Sequence, residues 1–160
     1  MPRQPAAVQL FSPQPRSSFG YRLRETARRL DRAISRSLAD FDLTVSQYHL
    51  LRELWDKQGL TVRELALRVN VAEPSTLKSL NLMQERGLLK LRTGTDDRRK
   101  RLAHLTAKGA QLKEPVLADI ERVSLDAYRN VAHADIQAAL RVFRAIEDQL
   151  EGGGADVEAS

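Results

Sequence analysis

The chain has 160 residues, 42% of them hydrophobic and 29% charged, with a formal net charge of +5 and no cysteine. That length suits one domain of ordinary size, and the absent thiols exclude disulfides, thiolate metal sites, cysteine nucleophiles and thiol redox sensing. No run approaches the ~20 apolar residues of a membrane span, and the N-terminus lacks the apolar core of a signal peptide, so the expected compartment is the cytoplasm.

Residues 1–16 carry four of the six prolines and are expected to form a mobile arm, with Leu10 and Phe11 docking on the body. A first helix is expected over about Ser17 to Asp40. Phe19, Leu23, Ala27, Leu30, Ile34, Leu38 and Phe41 recur there at spacings of three and four, while six arginines lie mostly off that stripe. A second helix follows Leu43-Thr44, with Val45, Tyr48, Leu51, Leu54 and Trp55 inward, and Gly59 stops it.

Thr61-Val62-Arg63-Glu64 reads as a capping box that starts a short helix with Leu65, Ala66 and Val69 inward. Asn70-Val71-Ala72 makes a turn. The next helix runs from about Glu73 to Arg86, with Pro74 in its first turn, where no N–H is needed. Thr76, Leu77, Leu80 and Met83 face inward, and Gly87 closes the helix as a left-handed residue. Leu88 to Arg92 and a return strand ending at Leu105 form a hairpin across the turn Thr93–Asp97. Its tip carries Arg98, Arg99, Lys100 and Arg101.

Thr106 caps a long helix with the stripe Leu112, Val116, Ile120, Val123 and Ala127, which Pro115 should kink near Gln111. After a break beyond His133, a last helix presents Ile136, Leu140, Phe143, Ile146 and Leu150. The tail, 151–160, is expected to be disordered.

The charge is unevenly distributed. From Leu60 to Ala110 there are eleven Lys and Arg against five Asp and Glu; from Gln111 to Glu151 there are five against eight. A basic middle followed by an acidic helical part suits a polyanion-binding module with a separate assembly region. Two short helices, a tight turn and a basic hairpin are the parts of a winged helix-turn-helix. The second short helix is slim enough for the major groove, and the hairpin can lay an arginine against the sugar-phosphate edge. The candidate DNA-contacting set is Pro74, Ser75, Thr76, Lys78 and Ser79 on the helix with Arg98, Arg99 and Arg101 on the wing. Four consecutive cations at a hairpin tip repel one another, which favours a polyanionic partner.

These motifs, in this order and spacing, resemble the MarR family of multiple-antibiotic-resistance-type regulators, from about Ser17 to Leu150. The likeness rests on Leu43-Thr44-Val45-Ser46-Gln47-Tyr48, Thr61-Val62-Arg63-Glu64-Leu65-Ala66, Pro74-Ser75-Thr76-Leu77 and Met83-Gln84-Glu85-Arg86-Gly87-Leu88. It rests above all on Asp97-Arg98-Arg99 followed by Leu105-Thr106-Ala107-Lys108-Gly109. The resemblance implies a mainly α fold with a β-hairpin wing. The DNA-binding lobe would span about 43–105, between dimerisation helices at about 17–40 and 106–150. It also implies a homodimer on a palindromic operator, a repressor released by an aromatic or lipophilic effector, and a wing held by Asp97 pairing with a neighbouring arginine. The sequence departs from the family pattern at Gly94, where many members carry an acidic residue.

Other readings are weaker. Tyr21, Tyr48 and Trp55 are candidate effector-pocket residues, although Tyr48 and Trp55 fit a packed core as well. His49, His104 and His133 lack metal spacing, and neither a metal nor another cofactor is expected. No nucleophile–base pair or phosphate loop points to an enzyme. The alternative function is a winged-helix protein-interaction module without sequence-specific DNA binding; the basic tip argues against it.

Overall fold

The structure, a computed structural model, describes residues 16, 18–94, 97 and 100–152. The expected arm, including Leu10 and Phe11, and the expected tail lie outside the described residues apart from Arg16, Glu151 and Gly152. The chain divides into two compact units, Met1–Val123 and Ser124–Ser160.

In the first unit, α1 (Phe19–Leu38) starts on Ser18, whose hydroxyl accepts the Tyr21 N–H. A 3₁₀ turn at Ala39–Phe41 follows, and Asp42 takes a left-handed φ of 54°. α2 (Val45–Asp56) opens on a full capping box, Thr44 exchanging hydrogen bonds with Gln47. Then come β1 (Leu60–Thr61), α3 (Val62–Arg68), α4 (Glu73–Glu85), β2 (Leu89–Thr93) and β3 (Arg101–Leu105). The expected hairpin is present and gains a third strand, because Gly59 at φ 74° turns the chain so that Leu60 pairs with Ala103 and Thr61 with Leu102. The antiparallel sheet has the order β1-β3-β2. Its inner face and the helices enclose one core built on Leu38, Leu50, Leu51, Leu54, Leu65, Leu80, Met83, Leu88 and Leu89.

The long helix expected after Thr106 is two helices, α5 (Ala107–Gln111) and α6 (Lys113–Tyr128). Pro115 cannot donate a hydrogen bond to the Gln111 carbonyl, and the break falls at Leu112. Val116 is buried and Ile120 and Val123 pack on the core, but Ala127 is exposed.

In the second unit, α7 (His133–Gly152) begins at His133, so the break precedes this residue, at 129–132. Ile136, Phe143 and Ile146 are half-buried, whereas Leu125, Tyr128, Leu140 and Leu150 are exposed. Among the described residues no helix is long and apolar enough to cross a membrane.

Candidate nucleic-acid interface

α3 is fixed at its start by the expected capping box. Thr61 Oγ1 accepts the Glu64 N–H at 3.1 Å, and Glu64 Oε2 accepts the Thr61 N–H at 2.7 Å. The Thr61 backbone and hydroxyl donors hold the Glu64 carboxyl below its usual range. α3 ends where Asn70 turns left-handed at φ 51°, letting Val71 N–H reach the Ala66 carbonyl and Asn70 N–H reach Leu67. That turn delivers the chain to α4 with Pro74 in the first turn.

α4 presents two faces. Thr76, Leu80 and Met83 are buried, while Pro74, Ser75 and Lys78 are exposed and Ser79 is half-buried. Thr76 is the exception within the candidate set. At 1% exposure it belongs to the core side, and its Oγ1 finds no hydrogen-bond partner among the described residues. Its place one turn before Leu80 puts it inward.

The far end of α4 is clamped. Gly87, at φ 71°, lets its own N–H bond the Gln84 carbonyl and the Leu88 N–H bond the Met83 carbonyl, the paired bonds of a Schellman cap. Thr106 Oγ1 donates to the Gly87 carbonyl at 2.6 Å and accepts the Gly109 N–H at 3.2 Å, so one hydroxyl joins the end of α4 to the start of α5. Lys108 Nζ donates to the Arg86 carbonyl, and the Trp55 indole N–H donates to the Gly109 carbonyl at 3.0 Å. Arg86 itself pairs with Asp42 at 3.0 Å and reaches Gln47 in the capping box of α2. Gln84 Oε1 accepts the Leu91 N–H at 2.7 Å and ties α4 to the wing. The segment Leu105–Gly109 thus owes its residue types to one small joint.

In the wing, Arg92 pairs with Leu102 and Thr93 with Arg101 across β2 and β3. Two backbone bonds close the turn: Gly94 N–H bonds the Lys100 carbonyl and Lys100 N–H bonds the Asp97 carbonyl. A side chain at position 94 would meet the Asp97 carbonyl oxygen at 2.9 Å, which gives the departure at Gly94 a steric reason. Asp97 is half-buried, Lys100 and Arg101 are exposed, and Arg98 and Arg99 lie outside the described residues.

The candidate pocket residues sit differently. Tyr48 is a core residue at 3% exposure, Tyr21 is half-buried on α1, and Trp55 is half-buried on α2. Trp55 lines a cavity of about 450 Å³ with Arg52, Asp56, Lys113 and Leu117. Burial, and then the charge of Arg52, lowers the His49 pKa. His104 lies on β3 and His133 starts α7. Arg52, Lys113 and Leu117 drew no attention in the sequence, because residues of two helices distant along the chain meet there only on folding.

The sequence and fold were compared with known proteins. Residues 41–100 match the model of the MarR family. An uncharacterized HTH-type transcriptional regulator of Staphylococcus aureus strain Mu50 is 25% identical over 115 residues, 71% of this chain and 79% of that protein. A MarR-family transcriptional regulator from Rhodococcus sp. RHA1 superposes with a TM-score of 0.73 at 18% identity, over 79% of this chain and 90% of that one. Bordetella bronchiseptica BpsR, described in connection with regulation of its DNA binding by 6-hydroxynicotinic acid, gives a TM-score of 0.76 at 22% identity, over 83% of this chain and 95% of that one. The Staphylococcus and Rhodococcus proteins are named as transcriptional regulators.

Proposed function

We propose that this chain, a MarR-family transcriptional regulator by the sequence of residues 41–100 and by its winged-helix fold, binds duplex DNA sequence-specifically as a homodimer. The observation that carries this reading is the outward face of α4. It offers Ser75 and Lys78 to solvent between the left-handed turn at Asn70 and a clamped C-terminus, beside a wing whose turn end carries Lys100 and Arg101. A helix clamped at its C-terminus loses less conformational freedom on entering a groove. Small polar side chains and one lysine can then approach base edges.

The homodimer reading draws support from the exposed apolar residues of the second unit, Leu125, Tyr128, Leu140 and Leu150, which a soluble monomer rarely leaves uncovered together. Two-fold symmetry would set the recognition helices about one DNA turn apart and make the operator palindromic. Arg98 and Arg99 would add wing contacts, with Asp97 orienting one of them. A regulator like its bacterial relatives would act on DNA in the cytoplasm.

We place the effector in the cavity lined by Arg52, Trp55, Lys113 and Leu117 rather than against Tyr48, which is buried. An indole, a leucine and two cations against the one carboxylate of Asp56 leave a partly apolar lining with a positive surplus, which suits an aromatic acid. Such a ligand would release DNA only as far as it prefers the state whose helices are wrongly spaced. Repression follows when the operator overlaps a promoter.

The test is selection of bound duplexes from a random pool by the full chain, then titration of the selected sequence at rising salt. Enrichment of a two-fold-symmetric motif whose affinity falls steeply with salt is expected. Recovery of no motif, with the protein monomeric, would remove the proposal.

A further inference from the structure

Arg63 belongs to no part of the recognition helix or wing tip, yet the sheet brings it to both. β1 runs antiparallel to β3 with Thr61 opposite Leu102, and β1 leads directly into α3. Two residues past Thr61 the chain therefore stands beside the start of β3, where Lys100 and Arg101 lie. Arg63, Lys100 and Arg101 line one concavity of about 520 Å³ with Glu73 and Leu77 of α4. Glu73 is the single carboxylate among these lining residues, so the walls carry a surplus of positive charge.

Several exposed arginines elsewhere find carboxylates, Arg28 and Arg29 on Glu25, Arg68 on Glu53 and Arg122 on Asp119. None of the three cations of the concavity has a side-chain ion pair among the described residues. Arg63 also stands in the first turn of α3, where the helix dipole disfavours a cation. The dipole of α3 does not favour a positive charge there, and three cations gathered with only Glu73 as counter-charge repel one another until an anion arrives.

The concavity lies between α4 and the turn end of the wing. When a recognition helix occupies the major groove and a wing meets the adjacent minor groove, the strand dividing the two grooves must pass between them. We infer that the concavity seats a backbone phosphodiester of that strand, with Arg63 as the anchoring cation and Lys100 and Arg101 on the opposite wall. This assignment rests on the DNA-binding reading and adds a phosphate contact from the first helix of the lobe.

The experiment compares wild type, Arg63→Ala, Arg63→Lys and Arg28→Ala by fluorescence anisotropy on the selected duplex and on an unrelated duplex, across salt. Arg63→Ala should weaken binding to both duplexes by the same factor and flatten the log affinity–log salt slope by about one per bound protomer. Arg63→Lys should restore the slope, Arg28→Ala should retain it, and the melting temperature of Arg63→Ala should stay level or rise. If wild type binds and Arg63→Ala matches it, or loses no more than Arg28→Ala does, the seat is wrong and the DNA-binding reading survives. If wild type binds no duplex, both fall together.

Discussion

Gly109 and Leu88 approach so closely that a methyl group on the Gly109 α-carbon would stand 2.0 Å from the Leu88 carbonyl oxygen. In a helix interior alanine is worth about 1 kcal/mol over glycine. Here that preference loses, since the clash is with backbone and relief needs α5 to move off the end of α4. Gly109→Ala should destabilise the fold by about 2 kcal/mol or more. Urea unfolding followed through the single tryptophan reads this directly, because the Trp55 indole bonds the Gly109 carbonyl. A variant as stable as wild type would mean the close approach is absent.

Residues that act on their own neighbours were legible in the sequence. Thr61 with Glu64, Pro74, Gly87 and Thr106 each announce a helix end through local chemistry, and each stands there. What stayed hidden depends on pairing across distance. β1 is two residues long and shows no alternation, so its partnership with β3 could not be seen, nor could the meeting of Arg63 with Arg101 that follows from it. The partners of Arg86, Asp42 and Gln47, come from a distant segment that meets it only on folding. Thr76 fits both a polar recognition face and the inward stripe of its helix; only the packing of α4 decides between them.

Thr76 supplies a sharp case for separating folding from recognition. Its buried hydroxyl has no partner among the described residues, and burying an unpaired hydroxyl costs about 1–3 kcal/mol. Thr76→Val keeps the shape and removes that cost. The variant should be at least as stable as wild type, by up to about 1 kcal/mol, with unchanged duplex affinity. A stable variant with lost affinity would show that the hydroxyl turns outward on DNA.

Acid should loosen the capping box of α3. The Glu64 pKa is lowered from 4.5 by the Thr61 backbone donor and then by the Thr61 hydroxyl. The folded state therefore binds this proton more weakly than the unfolded state does. The contribution is whole above pH 4.5 and drains away as pH falls through the folded value. His49 acts in a higher window. Burial lowers its pKa from 6.5, so stability declines as pH drops below that value. Glu64→Gln should flatten the stability curve only on the lower branch, and His49→Gln only on the upper one. Chemical unfolding at half-unit pH steps checks this; a Glu64→Gln curve parallel to wild type throughout would contradict it.

The effector cavity makes an optical prediction. Trp55 forms one wall and the cations of Arg52 and Lys113 outnumber the carboxylate of Asp56, so a planar aromatic carboxylate should quench tryptophan emission and weaken duplex binding over the same concentration range. Arg52→Ala should weaken both responses about tenfold, a typical loss for one charge-assisted hydrogen bond. Quenching without release of DNA would place the ligand outside the regulatory equilibrium.

Lys78 and Arg63 should fail in different ways. Lys78 is exposed on the outward face of α4, one turn after Ser75, where a side chain entering the major groove meets base edges that differ between base pairs. Losing such a contact costs about 1–3 kcal/mol at the preferred base and little at the others. Lys78→Ala should therefore lower affinity for the selected duplex, leave unrelated duplexes nearly untouched, and relax preference at one position in each half-site. Arg63→Ala should lower affinity for every duplex alike, since a phosphate has no sequence. Neither variant should melt below wild type, because neither side chain reaches the core. Binding each variant to a panel of single-base operator variants separates the two signatures. A uniform loss for Lys78→Ala would move this lysine from the bases to the backbone and leave Ser75 and Ser79 as the remaining readers on α4.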